Sequence, residues 1–145
     1  MRLNLPEARK PVFESVVPIR WGDMDAYGHV NNTVYFRYME IARIDWLESI
    51  AARIDAPGQG VVVVNAFCNF HAQLHYPGTL SVRMYVANPG RSSFETYYEI
   101  VRHDDPATLY ASGGAKTVWI DHAQRRSAPL PQALRALLEA DASAA

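Results

Sequence analysis

One long helical period stands in this 145-residue chain, and it limits what the rest can become. From Thr33 to Ile54, read at 3.6 residues per turn, Tyr35, Phe36, Tyr38, Met39, Ala42, Trp46, Leu47, Ile50 and Ile54 fall on one arc. Thr33, Arg37, Glu40 and Glu48 form a narrower polar stripe. The apolar arc takes up about half the circumference, so the helix has to be enclosed by other structure. Pro57-Gly58 ends it, as expected of residues that do not continue a helix.

What encloses the helix must be β. Val12 to Trp21 alternates, with Phe13, Val17, Ile19 and Trp21 toward one side, and Pro18 marks an edge or an irregularity. Val61 to Val64 is a β-branched run typical of a buried strand. Alternation continues from Ala66 to Tyr76, then from Leu80 to Val86, Phe94 to Arg102 and Leu109 to Ile120. Pro77-Gly78, Asn88-Pro89-Gly90 and Asp104-Asp105-Pro106 are turn signals. Pro131 to Ala140 is a short amphipathic helix with Leu134, Leu137 and Leu138 on one face. Close turns between successive strands predict an antiparallel sheet. One apolar helix and one such sheet make a two-layer α+β domain in which about five strands wrap the helix. Residues 12–140 form this domain, with tails at 1–11 and 141–145. Tyr97, Val101, Tyr110, Val118 and Ile120 stand opposite the core rows, a second apolar surface that points to an oligomer.

Composition narrows the function classes. The charged fraction is 20% and the net charge −1, with no basic run beyond Arg125-Arg126, so nothing favours nucleic acid. Cys68 is the only cysteine, which rules out an intrachain disulfide and a cysteine-based zinc site. His71 and His75 are a weak metal pair, and no metal or cofactor is expected. There is no apolar run of membrane-spanning length and no apolar segment near the start of a leader type. A cytoplasmic protein is the expectation.

The chemistry concentrates between strand and helix, in Arg20-Trp21-Gly22-Asp23-Met24-Asp25-Ala26-Tyr27-Gly28-His29-Val30-Asn31-Asn32. Asn31 or Asn32 can cap the helix. The first N–H groups of a helix lack internal acceptors, so a substrate carbonyl aimed there is polarised. Asp25 precedes Asn32 by seven residues with Gly28 between, and a tight reversal at glycine returns its carboxylate toward the helix start. Such a carboxylate could attack an acyl group or deprotonate a water. Spacing alone favours an Asx-turn residue holding the loop, and it does not separate Asp25 from Asp23. His29 is either a hydrogen-bonding loop residue or an acid–base group. Glu40 is expected to pair with Arg37 or Arg43 at helical spacing. Arg91 with Ser92 and Ser93 reads either as a phosphate-binding strand start or as an ordinary turn.

The run from Trp21 to Tyr35, followed by Tyr38-Met39-Glu40 and Ala42-Arg43, resembles the signature of hotdog-fold acyl-CoA thioesterases of the 4-hydroxybenzoyl-CoA thioesterase-like family. Its His29-Val30-Asn31-Asn32 part is also similar to acyl-ACP thioesterases. Tyr76-Pro77-Gly78, Gly90-Arg91-Ser92-Ser93 and Arg126 to Pro131 fit the same family, and the resemblance covers roughly 12–140. It implies a hotdog fold and hydrolysis of an acyl-CoA thioester to a carboxylic acid and CoA. It implies Asp25 as nucleophile or general base, the backbone N–H near Asn32 as the carbonyl's donor, and Asp23 as a supporting residue. His29 would be a third member of the site. Asn31, Tyr35, Arg91, Ser92 and Ser93 would contact substrate. An asparagine and His29 stand where the 4-hydroxybenzoyl enzyme has an aromatic and an apolar residue, so its aryl pocket does not carry over. The family also implies a homodimer with the site at the interface, with the partner's Val61 to Phe70 region adding to it, and pairing of dimers into tetramers. The alternatives are an acyl-ACP thioesterase and a non-catalytic acyl-CoA-binding protein.

Overall fold

In the computed structural model, which describes residues 1 and 3–140, the long helix α1 spans Asn32–Ile54. Asn31 caps it, its side chain accepting from the Thr33 N–H, and Asp55 ends it in the left-handed conformation. Tyr35, Tyr38, Met39, Ala42, Trp46 and Ile50 are its buried residues and share one face.

Around α1 lie β1 (Lys10–Ile19), β2 (Gln59–Phe70), β3 (Gly78–Ala87), β4 (Ser93–Arg102) and β5 (Ala111–Asp121). A two-residue β6 (Arg126–Ser127) pairs with β5. The sheet is antiparallel, in the order β1-β3-β4-β5-β2. Inward-facing Leu80, Val82, Met84, Phe94, Tyr98 and Ile100 are fully buried against the helix side. The short helix α2 (Gln132–Glu139) closes the far end of α1, burying Leu134 and Leu138. This is the helix-in-sheet architecture that the periodicity and the resemblance both imply. Among the described residues no helix is long and apolar enough to cross a membrane.

Several local expectations change. Val61 to Val64 is not a buried strand: Val62, Val63 and Val64 are exposed. They lie on β2, an edge strand, with a register shift between Val63 and Asn65. β-Branched residues suit an edge strand as well as a central one, and the sequence pattern is the same in both. β2 also stops at Phe70, and 71–77 is irregular, where alternation predicted strand to Tyr76. Trp21 leaves the core row of β1 and stands 77% exposed in a 3-10 turn at Trp21–Asp23. Pro18 does sit on an edge strand, where its missing N–H costs no ladder bond. Of the second apolar surface, Val101 is buried within the chain and Tyr97, Tyr110, Val118 and Ile120 are half-buried. Leu3 is tied to Asn69, whose side chain bonds both its N–H and its carbonyl. The expected tail at 141–145 lies outside the described residues.

Candidate active site

The loop before α1 folds as a miniature hairpin. Met24 and Val30 form an antiparallel bridge. Asp25 N–H donates to the His29 carbonyl at 3.0 Å, and Gly28 N–H donates to the Asp25 carbonyl at 3.1 Å. Gly28 turns the chain at φ +84°, a conformation open to glycine and strained for other residues. Val30 N–H is held by the Leu74 carbonyl at 2.8 Å, so segment 71–77 braces the hairpin from behind. The braced turn returns Asp25 to the start of α1.

The two aspartates then separate. Asp23 Oδ2 accepts from the Tyr38 hydroxyl at 2.8 Å and from the Arg20 N–H at 2.9 Å. Asp25 Oδ1 accepts from the Tyr27 N–H at 2.9 Å, and Oδ2 from the Asn31 amide at 3.1 Å. The Tyr27 N–H, then the Asn31 amide, hold the Asp25 carboxyl below the usual carboxylate range, and the charge of His29 acts in the same direction. Asp25 is therefore an ionised carboxylate at neutral pH.

Asn31 does two jobs at once. Its Oδ1 accepts from the Thr33 N–H at 2.9 Å and from the Thr33 hydroxyl at 2.6 Å, while its Nδ2 donates to Asp25. Its carbonyl accepts from the Val34 N–H at 3.0 Å. The cap thus claims the N–H groups of Thr33 and Val34. The Asn32 N–H, at the first helical position, has no acceptor within the helix, and Asn32 lines the same cleft as Asp25.

That cleft has a volume of about 480 Å³. Asp25, His29, Asn31, Asn32 and Tyr35 all line it. Five of the expected site residues therefore meet in one place. Tyr35 is buried, its ring edge-on to Phe70 at 4.9 Å between centroids, and burial pushes its hydroxyl pKa up. His29 Nδ1 lies 3.4 Å from the Val30 carbonyl, and its ring is edge-on to His75 at 6.3 Å. His75 Nδ1 donates to the Gly28 carbonyl at 3.0 Å, tying segment 71–77 to the turn.

Sequence reasoning missed Tyr27, His71 and Gln73 as cleft residues. His71 and Gln73 reach the site from the irregular segment after β2, and no local spacing connects them to Asp25. His71 Nε2 is 2.9 Å from the Ser112 hydroxyl on β5. Among the described residues no group of three or more His, Cys, Asp or Glu side chains could hold a metal ion.

Arg91, Ser92 and Ser93 do not join the cleft within one chain. Ser93 pairs with Val118, whereas Ile100 pairs with Ala111, which pairs with Phe70 beside the cleft. Seven residues of strand separate the two ends, about 23 Å. The Arg91 and Ser92 carbonyls accept from the Leu130 and Trp119 N–H groups, anchoring this turn to the α2 end. Glu40 pairs with Arg37, as spacing allows, and not with Arg43, which donates instead to the Tyr98 hydroxyl at 3.1 Å.

Comparison with known proteins gives a consistent picture. A family described as the thioesterase-like superfamily matches residues 19–138. The chain is 37% identical to PA2801 of Pseudomonas aeruginosa, a candidate thioesterase, with a TM-score of 0.82 over 88% of this chain and 98% of that one. It is 30% identical to a candidate acyl-CoA thioesterase of Xanthomonas campestris, with a TM-score of 0.74 over 83% and 99% of the two chains. It is 25% identical to Slr0204 of Synechocystis, a 1,4-dihydroxy-2-naphthoyl-CoA thioesterase, with a TM-score of 0.75 over 87% and 94%.

Proposed function

The chain belongs to the thioesterase-like superfamily, and we propose that it hydrolyses an acyl-CoA thioester to a carboxylic acid and CoA, with Asp25 as the reacting carboxylate. The observation that supports this most is that an ionised Asp25 and Asn32, the first residue of α1, line one cleft. A thioester carbonyl placed against the Asn32 N–H and the positive end of α1 is polarised, and the oxyanion formed on attack is stabilised. Asp25 then acts in one of two ways. As general base it takes a proton from a water that attacks the carbonyl carbon. As nucleophile it attacks that carbon itself, and water cleaves the resulting anhydride. In both routes the carbon–sulfur bond breaks, the sulfur leaves as CoA thiolate and is protonated, and one water is consumed.

The other residues fall into place around that step. Asn31 orients the carboxylate and keeps it ionised. His29 positions the water or the carbonyl from the turn. Asn31 and Tyr35 contact the acyl end of the substrate. Arg91, Ser92 and Ser93 are too distant to share a pocket with Asp25 in the same chain, so their role toward CoA phosphates runs through a second copy. The free edge of β2 is the surface for that homodimer, with the tetramer as a further assembly.

Free-thiol release from a panel of acyl-CoA and acyl-ACP thioesters tests the reading. Turnover of CoA thioesters is expected, and faster turnover of ACP thioesters would favour the carrier-protein alternative. Tight acyl-CoA binding without release of thiol would replace the enzyme by a binding protein.

A further inference from the structure

A second cavity of about 350 Å³ lies between α1 and β2–β5, one helical turn from the cleft and onward. Its walls are Phe36, Met39, Glu40 and Arg43 from the helix, and Val63 and Ala66 from β2. Thr33 lines it at the helix start, next in sequence to Asn32 of the cleft. Val63 pairs with inward-facing Thr117, and Phe70 pairs with inward-facing Ala111, yet they are 42% and 49% exposed. Within one chain the helix leaves this side of β2 uncovered, and a trough runs along α1 from Thr33 to Arg43.

Arg43 is unusual at the end of that trough. Among the described residues, the half-buried arginines Arg9, Arg83, Arg102 and Arg135 each have a carboxylate oxygen within 4.0 Å. Arg43, also half-buried, has none, and its one hydrogen-bond partner is the Tyr98 hydroxyl at 3.1 Å. Tyr98 is fully buried and its hydroxyl donates to the Thr96 hydroxyl at 2.8 Å, so it fixes the guanidinium without neutralising it. Glu40, the carboxylate lining the cavity, is engaged by Arg37. With Arg37, Glu40 and Arg43 as its charged walls, the cavity carries one net positive charge. A partly desolvated cation normally has an anionic partner, and this one lines the trough.

We infer that Arg43 reads the far end of the acyl group, and that the preferred substrate is an acyl-CoA whose tail ends in a carboxylate. The inference rests on the acyl-CoA reading above. Asn32 and Arg43 are eleven residues apart, about 16 Å along the helix. A thioester seated at Asn32 therefore needs a medium-length chain to bring its terminal carboxylate to the guanidinium, which offers a bidentate fork.

The test uses hydrolysis-resistant thioether analogues, so it reads binding even if no thioester is turned over. Calorimetry would compare CoA S-alkyl ethers of octyl to dodecyl length with their ω-carboxy counterparts, on wild type, Arg43→Met and Tyr98→Phe. Wild type is expected to bind the best ω-carboxy analogue roughly 10- to 100-fold more tightly than its alkyl match. Arg43→Met should erase that preference while keeping the alkyl affinity, and Tyr98→Phe, which leaves the charge in place, should largely retain it. Equal binding of the two series by wild type overturns the inference. So does a preference that survives Arg43→Met, or a loss in Arg43→Met shared equally by both series, which would place the arginine on CoA itself.

Discussion

Asp23 and Asp25 stand two residues apart in the same loop and live in opposite surroundings. Asp23 is turned toward the body of α1, where it satisfies the hydroxyl of buried Tyr38. Burial, then the bond to Asp23, pushes the Tyr38 pKa well up, so that hydroxyl stays protonated and donates. Asp25 is turned toward the cleft and accepts only from the loop and the cap, with its carboxylate left facing the site. Hydrogen-bond partners, not position in the loop, set the two surroundings apart. One carboxylate completes a half-buried hydrogen bond, and the other lines a cleft together with the first residue of α1.

The largest expected consequence is on turnover. Asp25→Asn keeps the acceptor for the Tyr27 N–H but removes the charge, and kcat should fall roughly 10²- to 10⁴-fold in a thiol-release assay, with the urea midpoint close to wild type. Asp23→Ala should show the reverse. Leaving the Tyr38 hydroxyl without its acceptor should cost about 1–3 kcal/mol in urea unfolding, with kcat per folded molecule reduced far less than in Asp25→Asn.

Asn31→Ala touches both sides of the comparison. Loss of the cap should cost about 1 kcal/mol by the same measurement. It should also raise the pKa of Asp25, because one of the two hydrogen bonds that depress it disappears. In wild type the acid limb of the pH–rate profile should lie below the ordinary aspartate value of about 3.9, and in Asn31→Ala it should move upward. The sign for stability follows the same logic: with its folded-state pKa depressed, Asp25 favours the native state above the unfolded-state value and loses that contribution as pH falls through the folded one. Gly28→Ala places a Cβ in open space but at φ +84°, so a loss of about 1 kcal/mol or slightly more is expected from backbone strain alone. Glu40→Gln removes an exposed ion pair to Arg37 and should change stability by at most about 0.5 kcal/mol.

Much of the fold is legible in the chain because its signals are local. The 3.6 period of α1, the alternation of β3 to β5 and the turn residues between them each depend on neighbours within a few positions. The exposure of Val62 to Val64 is not legible that way, since it depends on which strand ends the sheet. The site is legible in part. Gly28, Asn31 and the helix start predict a carboxylate brought back to the cap, and the family signature selects Asp25. The reason Asp23 is diverted lies fifteen residues onward, in Tyr38. Tyr38 shows in the sequence as one more member of an apolar arc. Its hydroxyl needs an acceptor, but spacing does not say which. His71 and Gln73 are similarly hidden, because only the packing of segment 71–77 behind the hairpin brings them to the cleft.

The central claim is that Asp25, and not Asp23, is the reacting carboxylate. The most direct test is free-thiol release from one good acyl-CoA substrate by wild type, Asp23→Asn and Asp25→Asn, each normalised to folded protein. The account predicts that Asp23→Asn keeps most of the wild-type rate while Asp25→Asn loses nearly all of it. Full activity in Asp25→Asn, or a deeper loss in Asp23→Asn, would contradict it.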